Sequence, residues 1–292
     1  MNTVTRVLSL SAETFVSADA DGRILVWDSN SGLASRPPSL FKHKIKVSNI
    51  TANSSFVYSS SDDLTMMQYK IETGESTILT PVKADFVKKH SSVLKMQATD
   101  AHLFVLHTNH SFHVLDAEDI EKVVVSKDDL GIGNISTFAL DKTRNEIWFA
   151  DDKGFLHVFD SATLEKISIE GELKTHYGHP AQSMAVSSAG LLAVGDTKGY
   201  VTVLSCADRT IKSYYAHHSK KVLEIAFTDS GSHIASLGFE NAIFITNSED
   251  HNDKQKIERP SGHTECRCFG LVSSEHVQVL AGGYDCGVRL YA

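Results

Sequence analysis

Seven short phrases at a near-constant spacing constrain this chain more than any other feature. Each reads as an acidic or amide turn, a small residue, and then an alternating apolar strand with a bulky end. The phrase occurs as Asp21-Gly-Arg-Ile-Leu-Val-Trp27 and, near the other end, as Asp285-Cys-Gly-Val-Arg-Leu-Tyr291. Between them lie Asp62 to Gln68 (or Asp63 to Tyr69), Asn109 to Leu115, Lys153 to Phe159, Lys198 to Leu204 and Glu240 to Thr246. The strand ends at 27, 68, 115, 159, 204, 246 and 291 are separated by 41, 47, 44, 45, 42 and 45 residues. Helical periodicity is nearly absent.

A period near 44 residues matches one four-stranded blade of about 40–45 residues. A histidine upstream keeps the register: His43, His90 and His179 each sit 25 residues before their strand end, and His218 and His263 sit 28 before theirs. Asn134 takes that place in the fourth copy. Gly178-His179 and Gly262-His263 keep a Gly-His pair. On these residues the repeats resemble WD40 repeats over essentially the whole chain. The resemblance implies an all-β, seven-bladed propeller. In that family a Gly-His, a strand Ser or Thr, a turn Asp and a Trp form a hydrogen-bonded tetrad in each blade. His43, His90, His179, His218, His263, Asp21, Trp27 and Asp285 are therefore assigned structural roles. Trp27 alone keeps the tryptophan, and Trp148 belongs to a second strand instead.

The expected organisation is one propeller over residues 1–292, with blades at 1–40, 41–86, 87–131, 132–174, 175–214, 215–260 and 261–292. The last blade reaches only its third strand, while Thr5 to Leu10 reads as the innermost strand of the first. A longer parent chain, a companion propeller or a partner is expected to donate the closing strand, since an open sheet edge invites pairing. The alternative is partial closure by Met1 to Val4.

Composition narrows the function classes. With 36 acidic and 28 basic side chains the formal net charge is -8. That balance argues against a general nucleic-acid or anionic-membrane binder. Four cysteines, Cys206, Cys266, Cys268 and Cys286, are too few for a disulfide scaffold. Met1 to Ala12 lacks the pattern of a signal peptide, and no run approaches the roughly 20 apolar residues of a membrane helix. A cytoplasmic protein is expected.

Candidate chemistry is sparse. His102, His107, His110 and His113 invite a metal reading, but His110 and His113 flank Phe112 and point to different faces, so turn and surface positions are expected. Cys266-Arg-Cys268 reads as core packing, its two thiols on one strand face. Asp62-Asp63 and Asp151-Asp152 occupy turns where Asp accepts backbone hydrogen bonds. No nucleophile elbow, phosphate loop or His-Glu metal motif accompanies them. Neither cofactor nor catalysis is expected.

Charge placement says more. Residues 36–95 hold nine basic and five acidic side chains, a net +4 that leaves -12 on the remainder. Lys44, Lys46, Lys88 and Lys89 lie near the histidine loops, and Lys220 and Lys221 hold the same level in the sixth blade. These six are the candidate partner-binding residues, suited to steering an acidic protein. They read equally well as an ordinary solvated face. Ser248 to Pro260 is a polar segment, expected to be a mobile loop.

Three stretches carry a closer resemblance. Asp21 to Gly32 precedes a Ser-Ser-Ser-Asp-Asp-Leu-Thr turn at Ser59 to Thr65. Leu191-Leu-Ala-Val-Gly-Asp196 is followed by the His217-His218 pair and Lys220-Lys221-Val-Leu-Glu-Ile-Ala-Phe227. This order resembles the C-terminal propeller of the WD-repeat actin-interacting protein 1 family. The resemblance implies actin filaments and cofilin as partners, a cytoskeletal location and a two-propeller parent. The alternative is a generic WD40 scaffold in a ubiquitin-ligase receptor or trafficking assembly.

Overall fold

The computed structural model describes residues 3–32, 42–79, 91–257, 266–272, 278–284 and 288–291. They fall into two compact units, one of Met1–Asp129 with Thr264–Ala292 and the other of Leu130–His263. Both are built from antiparallel sheets whose neighbouring strands are mostly consecutive in the chain.

In the first unit β1 (Val4–Ser9), β2 (Thr14–Asp19) and β3 (Ile24–Asp28) make sheet one. Sheet two has β4 (Val47–Ala52), β5 (Phe56–Ser61), β6 (Met66–Lys70) and β7 (Ser76–Leu79). Sheet three has β8 (Val93–Ala98), β9 (His102–His107), β10 (Phe112–Asp116) and β11 (Val123–Lys127). The second unit opens with β12 (Ile135–Asp141), β13 (Glu146–Asp151) and β14 (Phe155–Asp160). The short β15 (Lys166–Ile167) and β16 (Leu173–Lys174) both pair with β14, completing sheet four. Sheet five is β17 (Ala181–Val186), β18 (Leu191–Asp196), β19 (Tyr200–Ser205) and β20 (Thr210–Ala216). Sheet six is β21 (Val222–Phe227), β22 (His233–Gly238), β23 (Ile243–Asn247) and β24 (Lys254–Lys256). The chain returns to the first unit as β25 (Cys266–Val272), β26 (Gln278–Gly283) and β27 (Val288–Tyr291), the three-stranded sheet seven.

The third strands β3, β6, β10, β14, β19, β23 and β27 coincide with the seven phrases, ending at most two residues beyond the expected positions. A further repeat is visible only in the pairing. The first strand of every sheet shifts register directly after its first residue, at Val4, Val47, Val93, Ile135, Ala181, Val222 and Cys266. Such a bulge leaves one residue unpaired and sharpens the local twist. The shift at Cys266 falls between the two neighbouring cysteines, both of which are buried.

Burial follows strand order within each sheet. Second strands are covered on both faces; all six residues of β13 are buried. Outer strands such as β7 and β11 are mostly exposed. First strands pack on one another: β1 on β4 and β25, β4 on β8, β12 on β17, and β17 on β21. Trp148 is the largest fully buried side chain and centres an apolar cluster with Leu192, Val194 and Leu204. The Arg209 guanidinium lies 4.9 Å from the Trp148 ring centroid and pairs with Glu146 at 2.5 Å.

Trp27 lies parallel to Phe15, centroids 5.9 Å apart, and its Nε1–H donates to Ser17 Oγ at 2.8 Å. Trp27→Phe keeps the ring contact and removes the donor to a buried hydroxyl. A loss of about 1–2 kcal/mol is expected, read by urea unfolding followed by circular dichroism with an unchanged slope. A loss below about 0.3 kcal/mol would deny the bond its role.

Candidate functional site

The best-organised surface features are the loops that enter the first strand of a sheet. In sheet two that loop runs from Lys42 to Lys46. His43 is buried, its Nε2 2.8 Å from Ser59 Oγ and its Nδ1 2.6 Å from Thr65 Oγ1. Asp63 accepts from Thr65 N–H and Oγ1–H through one oxygen and from the Lys44 N–H, 2.8 Å away, through the other. Burial pushes the His43 pKa down, so the imidazole is neutral near pH 7. Burial works to raise the Asp63 pKa, but hydrogen bonds from Thr65 and the Lys44 N–H outweigh it and keep it below the usual carboxylate value.

The loop backbone is held from the neighbouring sheet as well. His43 N–H donates to Gly22 O at 2.9 Å, Asp62 N–H to Lys46 O at 3.2 Å and Ser61 Oγ–H to Ile45 O at 3.2 Å. Both ends, His43 and Val47, are buried, while Lys44, Ile45 and Lys46 project into solvent between them. The tip is thus set on a fixed backbone.

The second unit repeats the device. Before β21, His218 Nε2 meets Ser236 Oγ at 2.8 Å and Nδ1 meets Glu240 Oε1 directly at 2.5 Å, where sheet two reaches Asp63 through the Thr65 hydroxyl. The Phe239 N–H donates to Lys221 O at 2.9 Å. Lys220 is exposed and Lys221 half-buried, their Nζ atoms 5.6 and 5.1 Å from the centroid of the exposed Phe239 ring. Before β17, His179 Nδ1 meets the buried Asp196 Oδ2 at 3.1 Å. Asn134 fills the fourth position by donating to Asp152 Oδ2 at 2.9 Å.

His43 and His218 are both buried and bonded at both ring nitrogens, His179 is half-buried and bonds Asp196 through Nδ1, and Trp27 contributes its own bond. Asp21 is exposed, 3.8 Å from Arg23, while the neighbouring Asp19 accepts the Asp21 and Arg23 N–H groups of that turn. Lys88, Lys89, His90, His263 and Asp285 lie outside the described residues, so of the six candidate lysines the structure places Lys44 and Lys46 on one loop and Lys220 and Lys221 on another.

Two histidines depart from the surface reading. His110 is in a turn at φ 66°, but His107 and His113 are buried with ring centroids 5.0 Å apart. They sit on second and third strands, which neighbouring strands cover on both faces. Among the described residues no group of three or more His, Cys, Asp or Glu side chains is arranged to hold a metal. Burial raises the Cys206 thiol pKa to about 12, helped by Asp141, which keeps it protonated. No helix among the described residues is long and apolar enough to cross a membrane.

No family model matches the chain. A stretch of 113 residues, 38% of the chain, is 29% identical to WD repeat-containing protein 1 of Gallus gallus and covers 18% of that protein's length. The crystal structure of the WD40 β-propeller domain of Doa1 superposes with a TM-score of 0.80, over 100% of this chain and 93% of that one. The fold is a seven-bladed WD40 β-propeller. At 13% identity that likeness speaks for architecture alone. Each sheet is a blade, and the histidine loops enter the blades' first strands.

Proposed function

We propose that this chain is one non-catalytic protein-interaction propeller over residues 1–292 that works with cofilin in actin filament disassembly in the cytoplasm. Its basic, histidine-anchored loops meet the acidic partner. The observation that carries the reading is the Lys44-Ile45-Lys46 tip, two cations around an exposed apolar side chain on a backbone held from both sides. A tip ordered before binding loses little entropy on docking. Actin is named through the resemblance of Asp21 to Gly32, Ser59 to Thr65 and Leu191 to Phe227 to the actin-interacting family, and the match to a WD repeat-containing protein agrees with it.

Lys44→Glu/Lys46→Glu is expected to weaken binding to cofilin-decorated filaments at least tenfold, or about 1.4 kcal/mol. Lys220→Glu/Lys221→Glu, made separately, tells whether the second loop shares the contact. The melting temperature should hold, since Lys44 and Lys46 are exposed. Unchanged affinity at low salt in both double variants would refute the basic-loop contact.

A further inference from the structure

Away from these lysines, the second unit carries an exposed aromatic recess of about 600 Å³ beside the outer strand β20. Tyr177 stands at its mouth, 81% exposed, at φ 55° inside the short 3-10 turn His176–Gly178. A non-glycine residue in that conformation costs about 1 kcal/mol. The turn is held by Gly178 N–H on Thr175 O at 3.0 Å, Thr175 Oγ1–H on His179 O at 2.5 Å and His176 N–H on Thr202 Oγ1 at 3.1 Å. A large apolar ring is thereby kept in water on strained backbone. Non-glycine positive φ of this kind points to function when the surroundings fix it.

The rings form a row. His176 lies 3.9 Å from Tyr177 and 4.1 Å from Tyr214, and it stacks on the latter at 27°. Tyr214 and Ile211, from β20, are 58% and 43% exposed, so the row continues into apolar surface. Contiguous exposed aromatic surface marks a binding site more often than scattered single residues do.

Charge selects among ligands. Aromatic faces attract cations, but Lys153 and Lys174 line this recess. Its carboxylate, Glu172, pairs with Lys174 at 3.0 Å, while exposed Lys153 has no carboxylate partner among the described residues. A cationic ligand is disfavoured and an acidic one favoured. With His176 between them the two tyrosine centroids are at most about 8 Å apart, a gap that one polyproline II turn, rising roughly 9 Å, is long enough to bridge. Aromatic-lined grooves recognise that conformation because little entropy remains to be lost.

We propose that the Tyr177–His176–Tyr214 recess docks an extended, acidic segment of a protein partner with prolines three residues apart, one on each tyrosine. The test is fluorescence anisotropy of the full chain with three labelled peptides: one with two prolines at that spacing flanked by glutamates, one with both prolines replaced by alanine, and one with glutamates replaced by lysine. Saturable binding of the first, at least tenfold weaker for each of the others, is expected. Tyr177→Asn/Tyr214→Thr, chosen because Asn tolerates positive φ and Thr suits a strand, should weaken it tenfold or more. Lys153→Glu, an independent exposed change, should weaken it at least threefold. Absence of saturable binding, equal binding of the alanine peptide, or full binding by the folded tyrosine variant would each overturn the proposal. The filament reading is tested by other residues and another ligand, so the two fail separately.

Discussion

Replacing Gly199 with alanine is expected to remove about 3–4 kcal/mol of stability, enough to leave little soluble protein at 37 °C. Gly199 adopts φ +93°, which an L side chain resists, and strain alone accounts for about 1–2 kcal/mol. The larger share comes from where its Cβ would point. It would overlap the carbonyl oxygen of His218 and lie 2.7 Å from that of Lys220. Both are backbone atoms of the next blade's histidine loop, fixed by the His218 and Lys221 hydrogen bonds, so neither can yield cheaply. Gly22 and Gly154 stand in the same relation to the His43 and His179 loops. Gly133→Ala is the control: at φ +77° it carries comparable strain but has nothing within 4 Å. Its expected cost is about 1 kcal/mol. Equal losses at the two sites, measured by denaturant unfolding, would mean that the turn glycines do not pin the neighbouring loops.

Acidification from neutral pH should destabilise the protein through its buried histidines. His43, His107, His157, His217 and His218 all have pKa values lowered by burial, those of His107 and His217 to about 4. The unfolded chain takes up these protons near pH 6.5. Between pH 6.5 and about 4 the unfolded state therefore binds more protons, and stability falls as pH falls. His107 alone is expected to contribute a loss of about 2 kcal/mol by pH 5. His43 and His218 add less, because Asp63 and Glu240 favour their charged forms. Urea unfolding at pH 7 and pH 5 gives the size of the effect, and His107→Leu gives its source. That variant should lose about 2 kcal/mol less than the parent over the interval. Parallel pH dependences would show that His107 is charged in the folded state.

Much of this was legible from local signals. Turn residues and alternating third strands report the blade period because each phrase is short and its residues are adjacent. The histidine register is legible for the same reason, and its two spacings have a cause in loop length. Between His43 and His218 two of the three residues of difference lie there: Thr228–Ser232 links β21 to β22, where Asn53–Ser55 suffices between β4 and β5. The bulges were not legible: the skipped residues Thr5, Ser48, Leu94, Ser136, Gln182 and Leu223 share no side-chain chemistry, because the shift is a property of pairing. Burial of His107 and His113 escaped for a related reason. Alternation assigns a face, but β9 and β10 are covered on both. Glu240 opens its phrase as Asp63 does in sheet two, but that it bonds the imidazole directly, where Asp63 acts through Thr65, is visible only in the distances. The aromatic recess joins residues from the β16–β17 turn and β20, far apart in the chain.

The most direct test of the filament-binding proposal is co-sedimentation of this chain with actin filaments, bare and saturated with cofilin, over a salt series. Pelleting that requires cofilin and weakens as salt rises is expected, since screening shortens the reach of the lysine tips. A chain that stays in the supernatant with decorated filaments at the lowest salt would contradict it.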